Sequence, residues 1–132
     1  MLRKRFSLSV LLLLLAGIFV VTLPGCALFP HRKSIPLLGS WTNRTGAIWT
    51  VNRDGTFEVD VQRDGKRDSW GTYTIDGDMV TIHSTGGLMP KGCTGDGVYR
   101  FKREGAELTF GVVHDSCKLR KTNMLLGWHH VR

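Results

Sequence analysis

The chain has 132 residues, 18 of them basic and 11 acidic, and its formal net charge at pH 7 is +7. This length corresponds to one domain, and the charges are interspersed, without the basic stripe and interleaved aromatic side chains typical of nucleic-acid-binding proteins. Three basic residues and no acidic ones precede residue 26, so 15 basic and 11 acidic residues follow, a net charge of +4.

Residues 1–25 have the features of a secretory signal peptide. A basic start at residues 3–5 precedes a charge-free apolar run at residues 8–23. A membrane-spanning helix needs about 20 apolar residues, whereas this run is shorter and ends at Pro24. A cleaved signal is therefore favoured over an uncleaved anchor.

The segment ends in Leu23-Pro24-Gly25-Cys26, which resembles the bacterial lipobox. In lipoproteins of this kind, a Leu three residues before a Cys and a Gly directly before it mark the Cys for lipid attachment. The resemblance implies cleavage after Gly25 and a diacylglycerol and palmitate anchor on Cys26, although Pro24 stands where a small or β-branched residue is usual. It also implies a domain held at the cell membrane or outer membrane, facing the periplasm or the exterior. Ala27 is not the Asp that often retains lipoproteins at the inner membrane, which favours the outer one.

The chain has three cysteines, Cys26, Cys93 and Cys117. If lipid occupies Cys26, the other two make one pair, which is predicted to form a disulfide in an oxidising compartment. Such a bond stabilises a domain by roughly 3 kcal/mol in the chain-entropy model. The alternative is a metal site formed by Cys93, Cys117 and His114, although the two cysteines lack the close spacing typical of zinc sites.

Residues 26–37 are predicted to be the lipidated Cys and a tether, and residues 38–132 the folded domain. The tether contains Pro30 and Pro36 and a basic patch at residues 31–33, and it shows no periodic pattern. The folded domain begins where short apolar stretches and turn residues start to alternate.

Four turn signals punctuate the domain: Asp54-Gly55, Asp64-Gly65, Asp76-Gly77 and Glu104-Gly105. An Asp-Gly pair between alternating segments is the strongest short-range hairpin signal. Alternation of apolar and polar residues predicts eight β-strands, at residues 40–44, 47–53, 56–62, 69–75, 79–84, 98–102, 107–113 and 125–132. These short strands predict an all-β, antiparallel up-and-down meander that closes into a small barrel and so removes its exposed edges. No stretch after the signal shows a helical period.

The same alternation assigns side chains to the inside and the outside of the barrel. It predicts a shared interior that includes Phe57, Val59, Val61, Leu108, Phe110 and Val112. The residues between them are expected to face water. Cys93 would tie a Gly-rich loop at residues 85–96 to the connection before the last strand.

Gly39-Ser40-Trp41 opens the first predicted strand and Arg132 closes the last. This arrangement resembles the calycin superfamily of lipocalins, fatty-acid-binding proteins and avidins, in which a G-x-W opens the barrel and a basic residue of the final strand covers the Trp. The resemblance implies that Trp41 closes the barrel under Arg120 or Arg132. A closer resemblance, to small bacterial lipocalin-like domains, rests on Gly39-x-Trp41, Asp54-Gly55-Thr56-Phe57, Gly71-Thr72-Tyr73, Cys93, Gly97-x-Tyr99, Leu108-Thr109, Asp115-x-Cys117 and Arg120.

Candidate ligand-binding residues are the large aromatic side chains that could line a barrel lumen: Trp49, Trp70, Tyr73 and Trp128. The alternative is that they fill the core, as large aromatic residues commonly do.

His129 and His130 are adjacent on a predicted strand and therefore point to opposite faces, so they are not expected to bind one metal ion. The chain contains no hydrolase or phosphate-binding motif, and we predict no catalytic residue, metal or cofactor.

These observations predict a monomeric, lipid-anchored, non-catalytic module of the cell envelope. It would bind a small, partly apolar ligand or an envelope protein. One alternative is an inhibitor of a cell-wall hydrolase, because small disulfide-bonded barrel lipoproteins that block lysozyme have a similar format. The inhibitory loop would then be residues 86–96, with Lys91. The other alternative is a structural envelope lipoprotein.

Overall fold

The structure, a computed structural model, describes residues 35–132. The predicted signal peptide, the lipobox with Cys26 and most of the predicted tether lie outside the described residues. Within residues 35–132, no helix is long and apolar enough to cross a membrane.

Eight antiparallel strands form a closed barrel in which each strand pairs with its sequence neighbours and the last pairs with the first. The strands are β1 (Gly39–Thr42), β2 (Ile48–Val51), β3 (Thr56–Asp60), β4 (Ser69–Asp76), β5 (Met79–Gly87), β6 (Gly97–Glu104), β7 (Glu107–His114) and β8 (Trp128–His130). One helix, α1 (Lys118–Met124), precedes β8. The predicted small lipocalin-like barrel of eight strands is therefore confirmed.

Helix α1 and the short β8 differ from the prediction, which placed no helix here and a strand at residues 125–132. The seven residues of α1 are too few to show a helical period, and the helix depends on its surroundings. The Cys117 side chain accepts a hydrogen bond from the Arg120 N–H and so caps its first turn. Met124 is the buried residue that packs α1 onto the core. β8 begins three residues beyond Leu125, which is exposed.

The connections at the two ends of the barrel differ in length. At one end, called the turn end below, the links are short: residues 52–55, 77–78 and 105–106. At the other, called the loop end, they are residues 43–47, 61–68, 88–96 and 115–127, the last of which contains α1. The strands alternate in direction and β1 starts at the turn end, so the chain enters the barrel there.

The turn end is closed by Trp41, which is fully buried. Its indole Nε1 donates a hydrogen bond to the Leu37 carbonyl oxygen at 2.8 Å. The Arg103 guanidinium lies over the indole ring, 5.1 Å from the ring centroid, and its Nη1 donates to the Pro36 carbonyl oxygen at 2.6 Å. The indole is thus fixed by the backbone below it and covered by a cation.

The residue that covers Trp41 was predicted wrongly as Arg120 or Arg132. Arg103 covers the indole from the end of β6, not from the last strand. β8 ends at His130, whose ring packs edge-on against the Trp41 ring at 5.0 Å between centroids, and Arg132 beyond it is exposed. The shortness of β8 therefore removes Arg132 from the barrel wall.

The folded unit begins earlier than the predicted boundary at residue 38. Leu37 is fully buried, and Ile35 is partly buried against the core. The predicted tether of residues 26–37 therefore ends before Ile35, because these two side chains pack inside the turn end.

The interior contains most of the residues that alternation assigned to it. Phe57, Leu108 and Phe110 are buried, and Val59 is partly buried against them. The prediction was wrong for Val61 and Val112, which are 44% and 38% exposed. Val61 follows the last residue of β3, and Val112 lies on the part of β7 beyond its two-residue pairing with β8. Both positions leave the enclosed part of the barrel.

Candidate functional site

A cavity of about 90 Å³ opens at the loop end of the barrel. Its deep part is lined by buried side chains, Ala47, Trp49, Phe57, Ile82 and Trp128. Ala47 belongs to the 43–47 connection, and the other four lie on β2, β3, β5 and β8, where alternation turns them inward. The barrel is thus packed at the turn end and incompletely filled at the loop end.

Two tryptophans form the aromatic part of the cavity floor. The Trp49 and Trp128 ring centroids lie 5.6 Å apart, and the Phe110 ring centroid lies 5.8 Å from that of Trp49. Within the described part of the chain, the Trp128 indole Nε1 is a buried donor without a hydrogen-bond partner. Leaving a buried donor unpaired costs about 1–3 kcal/mol.

The mouth of the cavity is surrounded by exposed apolar side chains. Val61, Leu88 and Leu119 line it and are 44%, 56% and 47% exposed. Met89, next to Leu88, is also exposed. We call these four residues the apolar rim; they come from three different connections at the loop end.

A buried ion pair forms the polar side of the mouth. Arg120 Nε and Nη2 donate to the two Asp115 carboxylate oxygens at 2.7 and 2.8 Å. Arg120 also donates to Ser84 Oγ at 3.1 Å and to the Gly95 carbonyl oxygen at 2.8 Å. The Tyr99 hydroxyl donates to the same carboxylate. The guanidinium therefore ties α1 to β5 and to the 88–96 loop.

The electrostatics of this pair follow from burial and hydrogen bonding. Burial alone would raise the pKa of Asp115, but hydrogen bonds from Arg120, Tyr99 and the Cys117 N–H hold it below its ordinary value of 3.8. Burial raises the pKa of Tyr99, and its bond to the carboxylate raises it further. The carboxylate is thus ionised and the phenol neutral at neutral pH, and the charge of Arg120 is balanced within the protein.

Cys93 and Cys117 form the predicted disulfide. Both line the cavity, so the bond joins the 88–96 loop to the start of α1 at the mouth. The alternative metal site is excluded because both sulfur atoms are in the disulfide, and His114 is exposed. Residues 35–132 contain no group of three His, Cys, Asp or Glu side chains able to hold a metal ion.

Two of the four predicted ligand residues line the cavity, and two do not. Trp49 and Trp128 form its floor. Trp70 is on the outer face, where the Arg67 guanidinium lies 4.2 Å from its ring centroid. Tyr73 is buried nearer the turn end, and its hydroxyl donates to the Asn52 carbonyl oxygen at 2.6 Å. Trp70 and Tyr73 therefore do not line this cavity, because one faces outward and the other is buried nearer the turn end.

Sequence reasoning missed the apolar rim and the wall formed by Arg120. The Leu88-Met89 pair inside a Gly-rich loop was a usable signal, since loops rarely expose two adjacent large apolar side chains without a reason. Leu119 gave no such signal, because α1 was not predicted. The pairing of Arg120 with Asp115 is visible only once α1 positions the two side chains.

Comparison with known protein families, curated proteins and solved structures finds no match to this chain. The strand pairing itself shows the barrel fold.

Proposed function

We propose that the protein is a lipid-anchored, non-catalytic binding module of the bacterial cell envelope. Its binding site is the loop end, and its ligand is small or presents a small apolar group. The observation that carries this proposal is the cavity with its aromatic floor and apolar rim. Exposed apolar patches on a soluble domain are typical of binding sites.

The size of the cavity limits what it encloses. Typical small-molecule pockets measure about 300–1,000 Å³, and an apolar cavity of about 150 Å³ binds benzene. The cavity of about 90 Å³ is smaller than both, so it takes one apolar group. The remainder of the ligand would lie across the rim, outside the barrel.

The polar groups near the mouth support a role without catalysis. Arg120 and Asp115 are bonded to each other and to their neighbours, so neither is free to transfer a proton to a ligand. The exposed His83–Asp96 and His129–Glu107 pairs are each 2.6 Å long. Neither pair is part of the cavity lining.

The loop on which the inhibitor alternative depends belongs to the same site. Leu88, Pro90 and Cys93 of this loop line the cavity. Ser116 Oγ also donates to the Gly92 carbonyl oxygen at 2.8 Å and holds the loop against the next connection. We therefore assign this loop, with its exposed Lys91, to the wall of the binding site.

The anchor part of the proposal is tested by Cys26→Ser. The motivating feature is Leu23-x-Gly25-Cys26 after a charge-free run. We expect this variant to lose labelling by radioactive fatty acid and to accumulate as a precursor, since lipidation occurs on the Cys26 sulfur. Normal labelling and maturation of the variant would show that the anchor proposal is wrong.

The binding part is tested with straight-chain alcohols of increasing length and residues 26–132 carrying Cys26→Ser. The four indole N–H signals in NMR spectra report on Trp41, Trp49, Trp70 and Trp128 separately. We expect the signals of the two cavity tryptophans to shift, those of Trp41 and Trp70 to stay, and affinity to rise about fourfold per enclosed methylene.

A matched pair of variants locates the alcohol site. Ser69 lines the cavity at the start of β4, so Ser69→Phe should occupy the mouth and abolish the shifts. Thr74, further along the same strand, is exposed, and Thr74→Phe should change nothing. Wild-type spectra that do not respond to any alcohol would refute the binding proposal.

A further inference from the structure

We propose that the ligand of the loop end is a protein with an acidic surface, which inserts one aliphatic side chain into the cavity. This inference rests on the proposed function, because it uses the same cavity. It adds the chemical class of the partner and the charge of the surface around the inserted side chain. Three observations carry it: the cavity volume, the apolar rim and the distribution of charge between the two ends.

The volume matches a side chain better than a lipid tail. A cavity of about 150 Å³ holds the six carbons of benzene. In proportion, the cavity of about 90 Å³ at the loop end holds about four carbons. That is the size of a Val or Leu side chain. A long acyl chain would leave most of its carbons outside the barrel, in contact with water. Moving these carbons from a membrane into water is unfavourable.

The rim has the anatomy of the centre of a protein interface. A buried anchor pocket is surrounded by apolar side chains, and charged groups lie further out. Here Val61, Leu88 and Leu119 line the mouth of the cavity, and the exposed Met89 is next to Leu88. Lys91, on the same connection as Leu88, and Lys118, next to Leu119, are both exposed. A partner that inserts one side chain would cover the rim with the residues beside it.

The charge distribution selects an acidic partner. The four loop-end connections contain eight basic and four acidic residues, a net charge of +4. The rest of residues 35–132 contains five basic and seven acidic residues, a net charge of −2. The loop end therefore attracts an acidic surface while the remainder of the barrel repels it, which orients the encounter.

The position of the chain entry is consistent with docking at this end. Ile35 and Leu37 pack into the turn end, so the first described residues lie at the end of the barrel away from the cavity. The rim is not covered by any other part of residues 35–132.

The test is selection from a phage-displayed library of random peptides on immobilised residues 26–132 carrying Cys26→Ser. We expect enrichment of peptides with one Leu, Ile, Val or Met flanked by Asp or Glu. Replacing that aliphatic residue by Ala in a selected peptide should weaken binding about ten- to hundredfold, the effect of burying one such side chain. Enrichment of basic peptides, or of none, would overturn the proposal.

Two charge-reversal variants test the acidic requirement. Lys91→Glu at the loop end should weaken binding of a selected peptide several-fold and reduce its salt dependence. Arg53→Glu makes the same change in an exposed turn-end residue and should have no effect. Equal effects of the two variants would contradict the proposed location.

Vesicles containing phosphatidylglycerol provide the competing outcome. If the domain binds these vesicles through the cavity, so that Ser69→Phe abolishes binding, and selects no aliphatic-acidic peptide, the occupant is a lipid and this inference is wrong. If the alcohols bind but no such peptide is selected, only this inference fails. If the alcohols also fail to bind, the proposed function fails with it.

Discussion

The two ends of the barrel are built from the same strands but differ in their packing and hydrogen bonding. At the turn end, Trp41 and Arg103 donate hydrogen bonds to the Leu37 and Pro36 carbonyl oxygens, and the aromatic ring is covered. At the loop end, the Trp128 indole N–H is buried without a hydrogen-bond partner among residues 35–132, and large apolar side chains are exposed around a cavity. The turn end is thus packed and hydrogen-bonded, whereas the loop end retains exposed apolar surface and unfilled volume, where we propose that a ligand binds.

The two arginines illustrate the same difference. Arg103 lies over an aromatic ring and adds favourable contacts to a closed core. Arg120 is held in the wall of the cavity by Asp115, and its hydrogen bonds connect three separate segments. Changes at the turn end should therefore alter stability alone, and changes at the loop end should alter stability and binding together.

The largest expected effect is that of Asp115→Ala. It leaves the Arg120 guanidinium buried without its partner, which destabilises a protein by about 3–5 kcal/mol. Urea denaturation followed by fluorescence measures this free energy of unfolding. The control, Asp78→Ala, removes the partner of an exposed arginine, Arg100, and should change stability by less than about 1 kcal/mol. An effect of Asp115→Ala no larger than that of Asp78→Ala would show that the Asp115–Arg120 ion pair does not stabilise the fold.

Removal of the disulfide should have the next largest effect. We expect Cys93→Ser combined with Cys117→Ser to lower the free energy of unfolding by about 2–5 kcal/mol. Because both cysteines line the cavity, alcohol binding by the folded variant should also weaken. Denaturation and the indole NMR titration measure the two effects. Unchanged binding in the folded variant would mean that the wall keeps its shape without the bond.

A smaller effect is expected for Arg103→Ala at the turn end. Loss of the stacked cation and of the bond to the Pro36 carbonyl should lower stability by about 1–2 kcal/mol. Alcohol affinity should stay at the wild-type value, because Arg103 is not part of the cavity lining. A change in alcohol affinity would contradict the expectation that changes at the turn end alter stability alone.

The smallest effect concerns acid stability. The pKa of Asp115 is lowered in the folded protein, so its stabilising contribution is complete above its ordinary value of 3.8 and is lost as the pH falls through the lower, folded value. Asp115→Asn should therefore lose less stability than the wild type when the pH is lowered from about 5 to about 2. Asp54, whose pKa is lowered by hydrogen bonds from Thr56, is the exposed comparison, and Asp54→Asn should retain most of the acid sensitivity. Urea midpoints at the two pH values measure the difference.

Much of the barrel could be predicted because its signals are local. Gly55 and Gly77 adopt positive φ angles of 87° and 59° in the tight turns that their Asp-Gly pairs indicated. Between turns, alternation placed Phe57 and Phe110 inside, since successive strand side chains point to opposite faces. The disulfide was predictable because two cysteines remain in the folded domain once Cys26 is set aside.

The site was less predictable because it depends on contacts between segments distant in sequence. Leu119 reaches the rim only through α1, a helix too short for a periodic signal and stabilised by the Cys117 cap and the packing of Met124. Trp70 and Trp49 look alike in sequence, yet one faces outward and the other lines the cavity.

The sequence by itself determined the strand order, the tight turns, inward-facing residues such as Phe57 and Phe110, and the cysteine pair, because each follows from backbone geometry or a count. The tertiary structure decided that Arg103 covers Trp41, that Val61 lies at a rim, and that a cavity remains between Trp49 and Trp128. Closure of the barrel sets these distances, since it brings β6 to the start of β1 and α1 to the mouth. Whether side chains from separate strands fill the space between them depends on their packing together, which a local pattern does not contain.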